Sequence, residues 1–98
     1  MSFIQVIEFR TKRIDEVRAA GDEYVKATAG RSKVRRQLVA EDRDNAGRYF
    51  LMVSFDSYED AMQNSAMPET DAVAKKMGAL TDGAPTFYNL DVLEDRSF

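Results

Sequence analysis

The chain has 98 residues, and its 44% hydrophobic and 32% charged residues predict one soluble globular domain, not a disordered or membrane protein. A formal charge of -3 argues against nucleic-acid binding, because such domains normally carry a basic surface. The absence of cysteine and histidine excludes disulfides, thiolate nucleophiles, imidazole bases and the usual zinc or haem ligands.

The chain opens with a predicted strand and a predicted helix. Apolar side chains fill most positions from Phe3 to Phe9, as in a strand buried on both faces. Polar residues interrupt this run, so it is neither a signal peptide nor a membrane span, and we expect a cytoplasmic protein. Apolar residues then recur at helical spacing from Ile14 to Thr28, with Thr11 as the expected cap and Gly30 after the end.

The middle of the chain predicts a hairpin. The segment Lys33–Asp42 is more polar, as in a strand near a sheet edge. Turn-forming residues fill Asp42–Gly47, and Arg48–Phe55 is again almost continuously apolar. These two strands are therefore expected to be antiparallel, with the second one central in the sheet.

The last third predicts two helices and a strand. Ser57, followed three residues later by Asp60, has the spacing of a helix cap. Pro68 cannot continue this helix from its interior but fits the first turn of another, so the helical region is broken before it. A loop at 81–85 then leads to a final strand, Thr86–Leu93, and a charged tail.

The order β-α-β-β-α-β predicts an α+β domain over residues 1–98 with a ferredoxin-like fold. Right-handed crossovers place both helices on one face of a four-stranded antiparallel sheet. The first and third strands carry large apolar side chains at both odd and even positions, so the other face would also be apolar. We expect a second copy to cover it, as in a dimeric α/β barrel; the alternative is a monomer shielded by its own tail.

The pattern from Arg48 to Asp91 resembles the antibiotic biosynthesis monooxygenase-like families of the dimeric α/β-barrel superfamily. The most recognisable stretches are Phe55–Ser65, Met67–Glu69 and Gly83–Phe87. The resemblance implies a fold more than an activity. Its quinol- and anthrone-oxidising branches need no cofactor, because an electron-rich substrate anion itself reduces oxygen. Its haem-degrading branch uses histidine and tryptophan, which this chain lacks.

No catalytic base is identified. Six residues are candidate ligand contacts: Asn64, Tyr49, Tyr88, Gln5, Arg36 and Met67. The resemblance places Asn64 where better-known members have a histidine that lines the cavity. Its amide is suited to bind a carbonyl or phenol, or instead caps the helix break. The two tyrosines either orient an aromatic substrate or pack in the core or the interface.

The remaining candidates also have a functional and a structural interpretation. Gln5 interrupts an apolar strand, and its amide needs a ligand or a cross-strand partner. Arg36 either converges with Arg35 and Arg48 on an anion or lies on a solvated strand face. Met67 either lines an adaptable pocket or simply packs. No metal site is expected, because the tail carboxylates match no known ligand spacing.

Three functions are consistent with this pattern. The first is a cofactor-independent monooxygenase for a small aromatic or quinol-type compound held between helices and sheet. The second is a homodimer with a structural role, or one that binds a small apolar or aromatic ligand without catalysis. The third is an RNA-recognition module, since Arg48–Phe55 matches part of its third-strand motif but has Met52 where a stacking aromatic belongs.

Overall fold

The computed structural model describes residues 2–98 and confirms the ferredoxin-like fold. Its elements in chain order are β1 (Phe3–Arg10), α1 (Ile14–Ala27), β2 (Val34–Glu41), β3 (Arg48–Phe55), α2 (Tyr58–Ser65), α3 (Pro68–Leu80) and β4 (Thr86–Asp91). The sheet has the order β2-β3-β1-β4, and all neighbouring strands are antiparallel. None of these helices is long and apolar enough to cross a membrane.

Local chemistry accounts for the starts of α2 and α3 and for the turn of the β2–β3 hairpin. The side chain of Ser57 accepts a hydrogen bond from the backbone N–H of Asp60 at 3.0 Å, as its spacing predicts. Pro68 is the first residue of α3, where it loses no hydrogen bond. Gly47 closes the β2–β3 hairpin with a φ of 89°, a conformation that side chains disfavour.

Thr11 is not the cap of α1, contrary to the sequence prediction. The helix begins at Ile14, and its N-cap residue, Arg13, makes no side-chain capping bond. The hydroxyl of Thr11 instead accepts from the backbone N–H of Arg13 at 2.9 Å and donates to the carbonyl of Leu80 at 2.7 Å. It therefore ties the start of α1 to the end of α3.

Strand register decides which side chains face the helices. Ile7 pairs with Leu51 on one side and Phe87 on the other, and all three line a cavity beneath the helices. Side chains alternate between the two faces of a strand, so their even-numbered neighbours, such as Val6 and Met52, face away. Odd-numbered positions of β1, β3 and β4 thus form the inner face.

A hydrophobic cluster under α2 occupies one end of the sheet. Its members are Phe3, Phe55 and Ala61, with Val34 and Val53 packed against them. The helix α1 also buries Val17 and Ala20. By contrast, α3 has no buried residue, and open space lies between it and the sheet.

Candidate functional site

The inner cavity lies between the sheet and the helices and has a volume of about 290 Å³. One face of α3, together with Thr81 just after the helix, forms one wall. The residues of this wall are Thr70, Val73, Ala74, Met77, Gly78 and Thr81. The sheet forms the opposite wall with mainly apolar side chains: Gln5, Ile7, Phe9, Leu51, Val53 and Phe87. This volume is close to the lower end of the range for small-molecule sites, about 300–1,000 Å³.

The inner cavity runs beneath most of α3. Its lining includes Thr70 in the first turn of that helix and Thr81 immediately after its last residue. Most of the other lining side chains are apolar, so the cavity suits a ligand with a largely apolar surface.

An outer cavity of about 640 Å³ adjoins the inner one near β2. The two share wall residues on the sheet and on both helices: Phe9, Val17, Gly21, Gln37, Leu51 and Met77. The outer cavity adds ionisable groups: Arg18, Asp22, Glu41 and Tyr49. Together they form one cleft with an apolar interior and a polar mouth.

Tyr49 lies at that mouth. Its ring stacks on Phe9, with centroids 5.7 Å apart and planes 21° from parallel. Burial raises the pKa of the Tyr49 phenol, and the neighbouring carboxylate of Glu41 raises it further. Tyr49 is therefore a neutral hydrogen-bonding group near neutral pH and not a tyrosinate base.

Asn64 lies in the wall of the inner cavity and is only 6% exposed. Its side-chain nitrogen donates to the hydroxyl of Tyr24 at 2.9 Å. Its side-chain oxygen accepts from the backbone N–H of Lys33 at 3.4 Å. The hydroxyl of Tyr24 in turn lies 2.8 Å from that of Thr70. The amide is thus held by partners on α1 and on the segment before β2, and Thr70 of α3 supports it through Tyr24.

Of the other sequence candidates, the structure brings only Gln5 to the inner cavity, where its amide donates to Asn89 at 3.4 Å. Tyr88 and Arg36 lie at even-numbered register positions, on the sheet face away from the helices. Tyr88 there donates to Glu8 at 3.0 Å. Met67 lines neither cavity and is the N-cap residue of α3. The six candidates therefore do not form one site.

The arginines of the hairpin do not converge on an anion. Arg35 pairs with Asp56 at 2.7 Å, whereas Arg48 is held between Glu8 at 2.8 Å and Asp42 at 2.7 Å. Hydrogen bonds from Arg48 and then Tyr88 hold the pKa of Glu8 below its ordinary value. Residues 2–98 contain no group of three or more acidic side chains that could hold a metal ion.

The sequence does not identify the residues that hold Asn64. Tyr24 falls on the predicted apolar face of α1, and nothing in the sequence marks Thr70. These two residues are 46 positions apart, so their contact depends on how α1 packs on α3. Only the helical spacing of Tyr24 gave a signal, and that signal indicates packing.

Comparisons with known proteins agree with the fold. No family model and no curated protein matches the sequence. Solved structures do match. A candidate antibiotic biosynthesis monooxygenase from Caulobacter crescentus superposes with a TM-score of 0.81 at 16% identity, over 95% of this chain and 91% of that one. SnoaB, a cofactor-independent oxygenase from Streptomyces nogalater, gives 0.80 at 14% identity, over 96% and 95%.

A third match is Rv0793 from Mycobacterium tuberculosis, with a TM-score of 0.79 at 17% identity, over 99% of this chain and 100% of that one. At such identities the likeness establishes a shared fold. It confirms the resemblance to monooxygenase-like proteins at that level.

Proposed function

We propose that this protein is a cofactor-independent oxygenase that binds a small, flat aromatic compound of the quinol or anthrone type in the inner cavity. The observation that carries the proposal is a mainly apolar cavity with the buried amide of Asn64 in its wall. SnoaB, which has the same fold, is described as a cofactor-independent oxygenase and supports this class of chemistry.

Binding in this proposal comes from two kinds of contact. The apolar walls, with Ile7 and Val53 on the sheet and Met77 on α3, contact the faces of the ring. The amide of Asn64 donates a hydrogen bond to a ring oxygen. That bond is stronger when the oxygen carries a negative charge, so the site favours the substrate anion over the neutral form.

The substrate anion then supplies the electrons. An anthrone loses one proton from its central CH₂ group, and the charge of the resulting anion is delocalised onto its oxygen, opposite Asn64. The anion transfers an electron to O₂, and the two radicals combine into a hydroperoxide at the central carbon. The O–O bond then breaks, and loss of water leaves a ketone. One O₂ is consumed and one water released per substrate; a quinol would instead give a quinone and hydrogen peroxide.

The proton acceptor in this proposal lies at the polar mouth of the cleft. No carboxylate side chain lines the inner cavity within residues 2–98, whereas Asp22 and Glu41 line the outer one. Glu41 also accepts from the backbone N–H of Gly47 at 3.2 Å, which keeps its carboxylate next to Tyr49. A proton released by the substrate can reach these groups through water in the outer cavity.

The proposed assembly is a homodimer through the sheet face away from the helices. At even-numbered positions and their β2 partners this face carries large apolar side chains: Ile4, Val6, Leu38, Phe50, Met52 and Leu90. Four strands about 4.8 Å apart, each six to eight residues long, give a flat area of about 450 Å² per copy. Side chains raise the accessible area above this projection, so two copies approach the burial of a stable interface, about 1,200 Å² or more.

A non-catalytic binding protein of the same fold is the second candidate, because the cavity is present and its inner part contains no carboxylate among the described residues. An RNA-recognition role is disfavoured by the register. On the face away from the helices, β3 presents one aromatic ring, Phe50, but β1 presents only Ile4, Val6 and Glu8, so the stacking residue expected on β1 is missing.

Oxygen uptake by the purified protein with anthrone tests the proposal. We expect a rate above the spontaneous one, reduced about tenfold or more in Asn64→Ala, since one oxyanion donor contributes at least that much in other enzymes. The matched control is Asn45→Ala, in the β2–β3 loop outside both cavities. Uptake that is equal in both variants would contradict the role of Asn64. Binding of 1,4-naphthoquinone without any uptake would favour the second candidate.

A further inference from the structure

Three hydrogen bonds around Asn64 form a closed ring. Its side-chain nitrogen donates to Tyr24 at 2.9 Å, and the Tyr24 hydroxyl lies 2.8 Å from the Thr70 hydroxyl. The Thr70 hydroxyl reaches back to the backbone carbonyl of Asn64 at 2.7 Å. The ring joins the last turn of α1, the end of α2 and the first turn of α3.

The direction of this ring is fixed by its backbone member. A carbonyl oxygen only accepts, so the single hydroxyl hydrogen of Thr70 must go to Asn64. Thr70 can then only accept from Tyr24, which uses the single hydroxyl hydrogen of Tyr24. Tyr24 must therefore accept from Asn64, and the group facing it has to be the amide nitrogen.

An independent contact agrees with this orientation. The backbone N–H of Lys33 points at the other side of the same amide, 3.4 Å from its oxygen, and a donor there requires an acceptor. A flipped amide would place its NH₂ group against this N–H and its oxygen against Tyr24, which has no hydrogen left to give. The amide is thus held in one orientation from both sides.

We infer that Tyr24 and Thr70 are positioning residues: their hydroxyls close a one-way hydrogen-bond ring that orients the Asn64 amide and leaves one of its N–H groups free for the ligand. The side-chain nitrogen has two hydrogens, and only one has an acceptor among residues 2–98. Because Asn64 lines the inner cavity, the second hydrogen is available to a ligand oxygen there.

This arrangement has a consequence for selectivity. The group offered at this point of the cavity wall is a donor, and neither Tyr24 nor Thr70 has a hydroxyl hydrogen left for a ligand. A ligand that binds to the free N–H group must therefore present an acceptor, such as a carbonyl or phenolate oxygen. The catalytic part of this inference rests on the proposed function, whereas the orientation of the amide does not.

Nuclear magnetic resonance of the ligand-free, ¹⁵N-labelled protein tests the ring directly. The chain has three asparagines and three glutamines, so the Asn64 side-chain amide can be assigned by its disappearance in Asn64→Ala. We expect the hydrogen that is bonded to Tyr24 to exchange slowly with water. Thr70→Val removes the hydroxyl without changing the size of the side chain and should accelerate exchange about tenfold, the value of one hydrogen bond. Thr70→Ser should restore the slow rate.

Two further variants make the result specific. Thr81→Val removes another hydroxyl from the wall of the same cavity, outside the ring, and should leave the Asn64 exchange rate unchanged. Tyr24→Phe opens the ring from the other side and carries the test if Thr70→Val does not fold. Combining Tyr24→Phe with Thr70→Val should add little to either single change, because one break already frees the amide.

The opposite results would overturn the inference. These are slow exchange retained in both Thr70→Val and Tyr24→Phe, or additive effects in the double variant. With anthrone as substrate, Thr70→Val should lower kcat about tenfold with a smaller change in KM, and Thr70→Ser should recover it. The absence of oxygen uptake in every form, with the exchange pattern as expected, would refute the proposed function and leave the ring established.

Discussion

Gly78 provides a prediction in which stability and ligand binding move in opposite directions. It lies inside α3 and lines the inner cavity, and a Cβ added there would meet nothing within 4 Å. Glycine inside a helix is less favourable than alanine by about 1 kcal/mol. Gly78→Ala should therefore stabilise the protein by about 1 kcal/mol, which raises the Tm of a domain of this size by about 4–8 °C.

A larger side chain at the same position should close the cavity. Leucine adds four carbon groups, and at roughly 30 Å³ each, about the volume of one water molecule, they take up some 40% of the inner space. We expect Gly78→Ala to bind 1,4-naphthoquinone nearly as well as the wild type in calorimetric titration. Gly78→Leu should weaken binding at least tenfold, while its Tm remains at or above that of the wild type.

The control for Gly78→Leu is Ala79→Leu, which places the same side chain on the next residue of α3, outside both cavities. This variant should bind the quinone normally. Unchanged binding in a folded Gly78→Leu protein would refute the cavity as the ligand site. Equal losses in the two leucine variants would show that the effect comes from α3 as a whole and not from the occupied space.

The remaining predictions concern the sheet face away from the helices, the ion pair of Arg48 with Glu8 and the unpaired hydroxyl of Thr81. Phe50→Glu should convert the proposed dimer to a monomer in sedimentation, while Val25→Glu on exposed α1 should not; a dimer in both would contradict the interface. Arg48 keeps the pKa of Glu8 below its ordinary 4.5, so this carboxylate stabilises the fold above that pH and stabilises it less as the pH falls. Arg48→Met should therefore show a smaller drop in Tm between pH 7 and pH 3 than the wild type. The buried hydroxyl of Thr81 lacks a partner within the described chain, so Thr81→Val should raise stability by about 1 kcal/mol; a lower Tm would indicate a missed partner.

The sequence predicts those parts of the fold that depend on local chemistry. The bounds Arg48–Phe55 of the third strand match those observed, because turn residues border an apolar run on one side and a helix cap follows on the other. The last strand ends at Asp91 and not at the predicted Leu93. Asp91 pairs with Phe3, the first residue of β1, so β4 ends where its partner begins. Such a limit depends on tertiary pairing and leaves no local signal.

The site was less predictable than the fold because both faces of the sheet are apolar. Tyr49 and Tyr88 look alike in the sequence, but their register positions place the first at the cavity mouth and the second on the opposite face. The prediction of Asn64 rests on a resemblance, and its position in the cavity wall is a property of the folded chain. The contact of Tyr24 with Thr70 also arises only when α1 meets α3.

The most direct test of the ligand site is an experimental structure of the protein with 9,10-anthraquinone, the ketone that anthrone oxidation would produce. We predict that the ring lies flat between α3 and the inner face of the sheet, with one carbonyl oxygen within hydrogen-bonding distance of the Asn64 side-chain nitrogen. Two results would contradict this prediction: a quinone bound on the sheet face away from the helices, or an inner cavity filled by side chains that exclude the quinone.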